Sequence, residues 1–116
     1  RVYLDMKYDP DTVLGLDWAG TVSVKDAYTW DPATQLGGTQ SIEVVGVEAP
    51  LWTETIESRE DIEFMAFPRL AGCAEIGWSP ADKRDWEGYR QRLGHHGPRL
   101  SAMGVNYFRS PQVPWQ

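Results

Sequence analysis

Two pairs of residues carry types and spacing that could do chemistry. Tyr3 and Asp5 stand two apart in Val2-Tyr3-Leu4-Asp5-Met6, and Trp52 and Glu54 stand two apart at the end of Val44-Val45-Gly46-Val47-Glu48-Ala49-Pro50-Leu51-Trp52-Thr53-Glu54. On extended backbone, residues two apart point to one side, so each stretch would present a ring beside a carboxylate. A ring offers a flat apolar face to the C–H side of a pyranose, and a carboxylate accepts hydrogen bonds from neighbouring hydroxyls. That combination suits a sugar. It also has a plain structural use, because rings fill cores and carboxylates at strand ends cap the helices that follow.

The bulk properties favour a neutral ligand. With 11 Lys and Arg against 17 Asp and Glu, the net charge is −6, which argues against a partner presenting phosphates, whether nucleic acid or an anionic membrane. No run is apolar enough to span a bilayer. A single cysteine, Cys73, excludes an internal disulfide framework and a cysteine-rich zinc site. Neither a metal nor a cofactor is called for. At 116 residues and 41% apolar, the chain has material for one small core. No signal peptide begins it, and it opens in mid-strand at Arg1-Val2-Tyr3, so its own beginning is expected to lie upstream.

The elements that must position the two pairs follow from periodicity and punctuation. The run at residues 44–47 is apolar on both faces and suits a central parallel strand. Val2-Tyr3-Leu4 and Val105-Asn106-Tyr107-Phe108 read as further strands. Between them, residues 14–20 form a glycine-rich loop holding one large ring, Trp18. Ser23 with Asp26 predicts a capped short helix carrying Ala27, Tyr28 and Trp30, stopped by Asp31-Pro32, and residues 35–41 are a connector. Residues 58–67 read as a helix opened by Ser58 and Asp61. Pro68 interrupts it and starts another, which ends at Gly77. Ser79-Pro80 opens a third, with Trp86, Tyr89 and Leu93 facing the core and Gly94 as its stop. A last turn around Leu100 and Met103 closes at Gly104. Strand, helix, strand, helices, strand is the α/β order of parallel strands joined by crossover helices. A closed barrel of eight such units needs roughly 250 residues and places its active site at the C-terminal strand ends, where both pairs fall.

Other chemically suggestive residues have structural uses. Glu48 within a strand needs an ion pair. His95 and His96, adjacent, face different ways on most backbones and fit a helix end or surface better than a metal. Cys73, between Gly72 and Ala74, suits packing better than nucleophilic attack. Trp30, Trp78, Trp86 and Trp115 are scaffold candidates.

Five blocks, in order, resemble a known family. These are Tyr3-Leu4-Asp5-Met6-Lys7-Tyr8, Trp18-Ala19-Gly20, the stretch from Gly46 to Glu54, Phe67-Pro68-Arg69-Leu70-Ala71 with Ala74-Glu75-Ile76-Gly77-Trp78-Ser79, and Gly104-Val105-Asn106-Tyr107. Together they resemble the C-terminal part of the catalytic barrel of glycoside hydrolase family 20, the β-N-acetylhexosaminidases, especially the secreted bacterial ones. The resemblance implies an α/β fold, the last three βα units of a TIM (β/α)8 barrel. It implies an N-acetylhexosaminide or chitooligosaccharide substrate, hydrolysed with retention by attack of the substrate's own 2-acetamido oxygen on the anomeric carbon. Such substrate assistance is an exception to the two-carboxylate scheme.

By this resemblance Tyr3 hydrogen-bonds the acetamido carbonyl oxygen, Trp52 packs against the sugar, and Glu54 takes the hydroxyls at C4 and C6. Asp5 and Trp18 line the pocket on the C6 and aglycone side. The family's proton donor is the Glu of a His-x-Gly-Gly-Asp-Glu block, and this sequence has none. The chain is therefore expected to supply part of a sugar site, to be inactive alone, and to need the remainder of the barrel, or an oligomer, over its open faces. An extracellular location is implied by the same resemblance. Two other functions fit the residues: a non-catalytic carbohydrate-binding module, and a glycosidase using Asp5 and Glu54 as its own carboxylate pair.

Overall fold

A short helix, α1 (Val24–Tyr28), begins at Ser23, whose side chain accepts from the Asp26 backbone N–H while the Asp26 carboxylate accepts from the Ser23 N–H. This reciprocal cap is the one the Ser23/Asp26 spacing predicts. The computed structural model describes residues 2–35 and 43–116. The start of the expected central stretch at Ile42, and most of the connector before it, lie outside the described residues. Asp31-Pro32 does end the helical run, but it also opens a 3-10 turn, Pro32–Thr34, capped by the Asp31 side chain.

Helix α2 (Arg59–Ala66) is capped by Ser58, whose hydroxyl accepts from the Asp61 N–H, while the Asp61 carboxylate accepts from the Glu57 N–H just ahead of the helix. The chain breaks at Phe67-Pro68 and resumes as α3 (Arg69–Trp78), passing through Gly77 by one residue. The third helix departs from expectation at both ends. Ser79-Pro80 leads only into a 3-10 turn, Ala81–Lys83. The helix itself, α4 (Trp86–Ala102), starts at Asp85, whose carboxylate accepts from the Gly88 N–H. It then runs through Gly94 and Pro98 to a turn at Met103 and Gly104, the latter at φ +71°.

Gly94 is therefore not a stop. It is buried, and a Cβ on it would stand 2.3 Å from the carbonyl oxygen of Pro114. The glycine is needed for the close approach of the C-terminal tail. His95 and His96, expected at a helix end or on the surface, sit within α4 rather than at its end, with His95 exposed and His96 half-buried.

The core is formed by Tyr8, Val24, Tyr28, Ile76, Tyr89, Leu93 and Val113, with Trp30, Trp86 and Trp115 packed against it. Tyr28 stacks on Tyr89, centroids 3.9 Å apart. The predicted stripe on α4 is thus the face that meets α1 and α3. A second cluster joins Val2 and Leu4 to Ala27 and Ala66. Cys73 is buried, and burial pushes its thiol pKa up, in keeping with packing. Trp78 does not fit the scaffold expectation among the described residues, being 91% exposed at the end of α3.

None of the three expected strands is a strand among the described residues. The one ladder contact among the described residues is an isolated parallel bridge between Met6 and Leu16, a residue of the glycine-rich loop. Residues 3–6 form a turn, with the Met6 N–H donating to Tyr3 O. At residues 105–108, Tyr107 N–H bonds back to Val105 O, and Phe108 N–H bonds to Phe67 O, so this stretch is fastened to the break between α2 and α3 rather than to the stretch at 44–47. A strand is defined by its neighbours' N–H and C=O groups; here the stretches at residues 2–6 and 105–108 find turn or loop partners instead, and residues 44–47 make no backbone hydrogen bond to another described residue. Val45 is 94% exposed and Val44 42%. Glu48 is exposed too and joins none of the ion pairs among the described residues, since nothing there faces it.

Candidate sugar-binding face

The three stretches that carry the candidate site residues are stitched together by backbone hydrogen bonds. Leu4 N–H donates to Pro50 O at 2.9 Å, which sets the Tyr3–Asp5 turn beside the stretch leading to Trp52. Leu16 N–H donates to Asp5 O and Lys7 N–H to Leu16 O, both at 2.8 Å, which lays the Trp18 loop along the same turn. Lys7 and Asp17 reinforce this contact as an ion pair at 3.8 Å. Gly15, at φ +103°, permits the loop's approach: a Cβ there would stand 2.7 Å from Met65 Cε and 3.1 Å from Asp5 O. The left-handed conformation and the missing Cβ are both required.

The side chains on these stretches are mostly free. Tyr3 is 41% exposed, Trp52 58% and Trp18 73%, and Glu54 is exposed at a turn closed by Ile56 N–H on Thr53 O. Large rings left in water are unusual on a closed surface and mark a face that takes a partner. Asp5 differs. It is buried, and its Oδ1 has no hydrogen-bond partner among the described residues. Extended geometry would have put Tyr3 and Asp5 on one side; the turn at residues 3–6 instead sends the ring to solvent and the carboxylate inward. A buried acceptor without a donor is costly, and a hydroxyl-rich ligand is one way to satisfy it.

Two residues that organise this face were not singled out by the sequence. Arg69 is fully buried; its Nη1 donates to the carbonyls of Met6 (2.8 Å) and Val22 (3.0 Å), and its Nη2 to those of Leu4 (2.6 Å) and Met65 (2.7 Å). Burial pushes the guanidinium pKa down, with Tyr8 and Asp5 acting the other way. Tyr8 lies beneath it, 3.8 Å from the guanidinium carbon to the ring centre, and stacks on Phe108. The Tyr8 hydroxyl has three carbonyl acceptors in reach, those of Phe64, Met65 and Phe67. Burial pushes its pKa well above the ordinary value. One signal for Arg69 was available: a cation on the first residue of a helix opposes the helix dipole, so an arginine there needs some other reason.

Comparison with known proteins places the chain in a family. The family model for the glycosyl hydrolase family 20 catalytic domain matches residues 1–81. The chain is 44% identical over 115 residues to a beta-N-acetylhexosaminidase of Cellulomonas fimi, covering 99% of this chain and 23% of that protein. Among solved structures, the GH20 beta-N-acetylhexosaminidase from Streptomyces coelicolor superposes with a TM-score of 0.95 at 58% identity, over 100% of this chain and 24% of that one. The Streptomyces plicatus N-acetyl-beta-hexosaminidase in complex with Thio-NAglucal gives 0.95 at 55%, over 100% and 23%. The chain thus spans about a quarter of the length of these relatives. On sequence, family match and superposition alike, the chain belongs to glycosyl hydrolase family 20.

Proposed function

We propose that this chain forms part of a β-N-acetylhexosaminidase that removes terminal β-linked N-acetylglucosamine or N-acetylgalactosamine. The observation that carries this reading is the juxtaposition of an exposed phenol, two exposed indoles and two carboxylates on stretches joined by backbone hydrogen bonds. A Streptomyces plicatus relative is described in complex with product GlcNAc. Tyr3 would donate to the acetamido carbonyl oxygen as that oxygen attacks the anomeric carbon. Trp52 would pack on the pyranose face, Glu54 would accept from the C4 and C6 hydroxyls, and Asp5 and Trp18 would bound the C6 and aglycone side. The proton donor to the leaving oxygen lies outside these residues, and its contribution of roughly 10²–10⁴-fold would be missing from the isolated chain.

The fold that goes with this function is a (β/α)8 barrel. Within it, the stretches at residues 2–6 and 43–50 would become neighbouring parallel strands once flanked on both sides. Residues 105–108, fastened to Phe67, would not be a third. The exposed valines at 44 and 45 would then be covered by the remainder of the barrel, each worth roughly 1.5–3 kcal/mol when fully buried. An extracellular site of action accords with a glycan substrate.

The test is to complete the chain with the upstream part of the Streptomyces coelicolor relative and assay an aryl N-acetylglucosaminide. The completed protein should hydrolyse it and the chain alone should not. Turnover by the chain alone that is lost in Glu54→Gln but kept in Tyr3→Phe would instead establish a carboxylate pair. A completed protein that binds N-acetylglucosamine without turnover would make the chain a binding module.

A further inference from the structure

Among the described residues, Arg69 is a cation with no carboxylate hydrogen-bonded to it. Its four bonds all go to backbone carbonyls, and these come from residues 4, 6, 22 and 65. Two of the four acceptors, Leu4 O and Met6 O, flank Asp5 on either side. The Asp5 carbonyl between them accepts from Leu16 N–H. The peptide units on both sides of Asp5 are therefore fixed, and with them the direction of its Cα–Cβ bond. The Asp5 carboxylate is the anionic side chain acting on the buried guanidinium, and its Oδ1 still has no donor among the described residues.

We infer that Arg69 is the positioning residue of the sugar site: by clamping the carbonyls of Leu4 and Met6, it holds the Asp5 carboxylate in place with Oδ1 free for a ligand hydroxyl. This rests on the proposed role of Asp5 in binding the sugar. The planar fork of arginine is necessary, because it supplies two donors on each of two nitrogens in one plane, which stacks on Tyr8. A lysine ammonium has three donors around a point and cannot reach four carbonyls while lying on the ring. The Nε of Arg69, without a hydrogen-bond partner among the described residues, fits a group selected for its two terminal nitrogens.

A structural brace and a positioning residue predict different kinetics. In the completed protein, Arg69→Lys should raise KM for the aryl N-acetylglucosaminide by about tenfold while kcat changes by less than about threefold, because a contact made equally in ground and transition states has been loosened. The decisive measurement is a double-mutant cycle with Asp5→Ala. If Arg69 acts through Asp5, adding Arg69→Lys to Asp5→Ala should move KM by less than about twofold. Independent, multiplying effects would overturn the inference, as would a lowered melting temperature with unchanged KM. Asp5→Ala alone leaving KM unchanged would identify the fault as the role given to Asp5. Should Arg69→Lys not fold, Tyr8→Leu removes the platform under the guanidinium and keeps its donors. It must show a KM rise that likewise vanishes in the Asp5→Ala background, and a rise that persists there counts against the clamp.

Discussion

The carbonyl of Gly94 is hydrogen-bonded by the backbone N–H of Gln116 at 3.3 Å. In an uninterrupted helix that carbonyl would accept from the residue four positions on, which here is Pro98 and has no N–H. The proline thus leaves an acceptor open, the glycine leaves room beside it, and the tail fills both. Trp115 continues the contact, its ring 3.1 Å from where a Cβ on Gly97 would be, and its indole N–H donates to Ser110 O.

Gly94→Ala should therefore undock the tail. Its Cβ meets a backbone oxygen at 2.3 Å, which cannot swing aside as a side-chain end could. A loss of about 1–3 kcal/mol, the usual cost of overpacking, should outweigh the gain of about 1 kcal/mol in helix propensity. A thermal melt of the completed protein, with hydrogen exchange at Gln116, checks both parts; faster exchange at Gln116 with a lower melting temperature is expected.

Tyr28 should make the fold sensitive to alkali. Its hydroxyl donates to Glu75 Oε1 at 3.0 Å, and burial, followed by Glu75, pushes its pKa from 10.0 up to about 12. The raised value means that its contribution is complete below pH 10 and is lost as pH rises from 10 towards 12, where the unfolded chain has released a proton that the folded one retains. Denaturant midpoints measured across that window should fall, and should fall less in Tyr28→Phe.

Glu63 should have the opposite dependence. Its carboxylate accepts from the Asn106 N–H at 2.8 Å and from Arg59, and these hold its pKa below the ordinary 4.5. With the folded value depressed, the stabilisation is present above 4.5 and is lost as pH falls through the folded value. The fastening of residues 105–108 to α2 should loosen in acid. Amide exchange at Asn106, corrected for intrinsic rate, should show a step in that range that Glu63→Gln abolishes.

In the completed protein, Tyr3 and Trp52 should separate kinetically. Tyr3→Phe removes the hydrogen bond that would hold the acetamido oxygen in line for attack on the anomeric carbon, so kcat should fall by about 10–100-fold with KM little changed. Trp52→Ala removes stacking present throughout, so KM should rise by roughly 2- to 12-fold. Steady-state kinetics on an aryl N-acetylglucosaminide distinguish the two, and a Tyr3→Phe effect confined to KM would contradict its role.

What the sequence disclosed depended on how local the cause was. The Ser23/Asp26 and Ser58/Asp61 caps are settled within four residues, and the Trp86, Tyr89, Leu93 stripe within two turns, so all were legible. Gly94 was misread because its reason lies twenty positions away, in Pro114. The stretches at residues 2–4 and 44–47 have strand composition, but pairing is a property of neighbours. For the site, Tyr3, Trp18, Trp52 and Glu54, singled out as sugar-binding candidates, are all exposed. The inward turn of Asp5 and the clamp of Arg69 were not visible, because an arginine after a proline at a helix start reads as a surface residue until its carbonyl partners are known.

The Arg69 contacts also have a bearing on when the proposed sugar face takes shape. The acceptors of Arg69 lie 65, 63, 47 and 4 positions from it along the chain. Three of the four closures are long-range, and such contacts cost loop entropy before they return any stabilisation. On a ribosome the Tyr3–Asp5 turn is made early and then waits while the next sixty-odd residues emerge, because its shape is set by a side chain that does not yet exist. The proposed binding face is in this sense a late product of folding, completed only when α3 delivers its first residue to a turn synthesised long before.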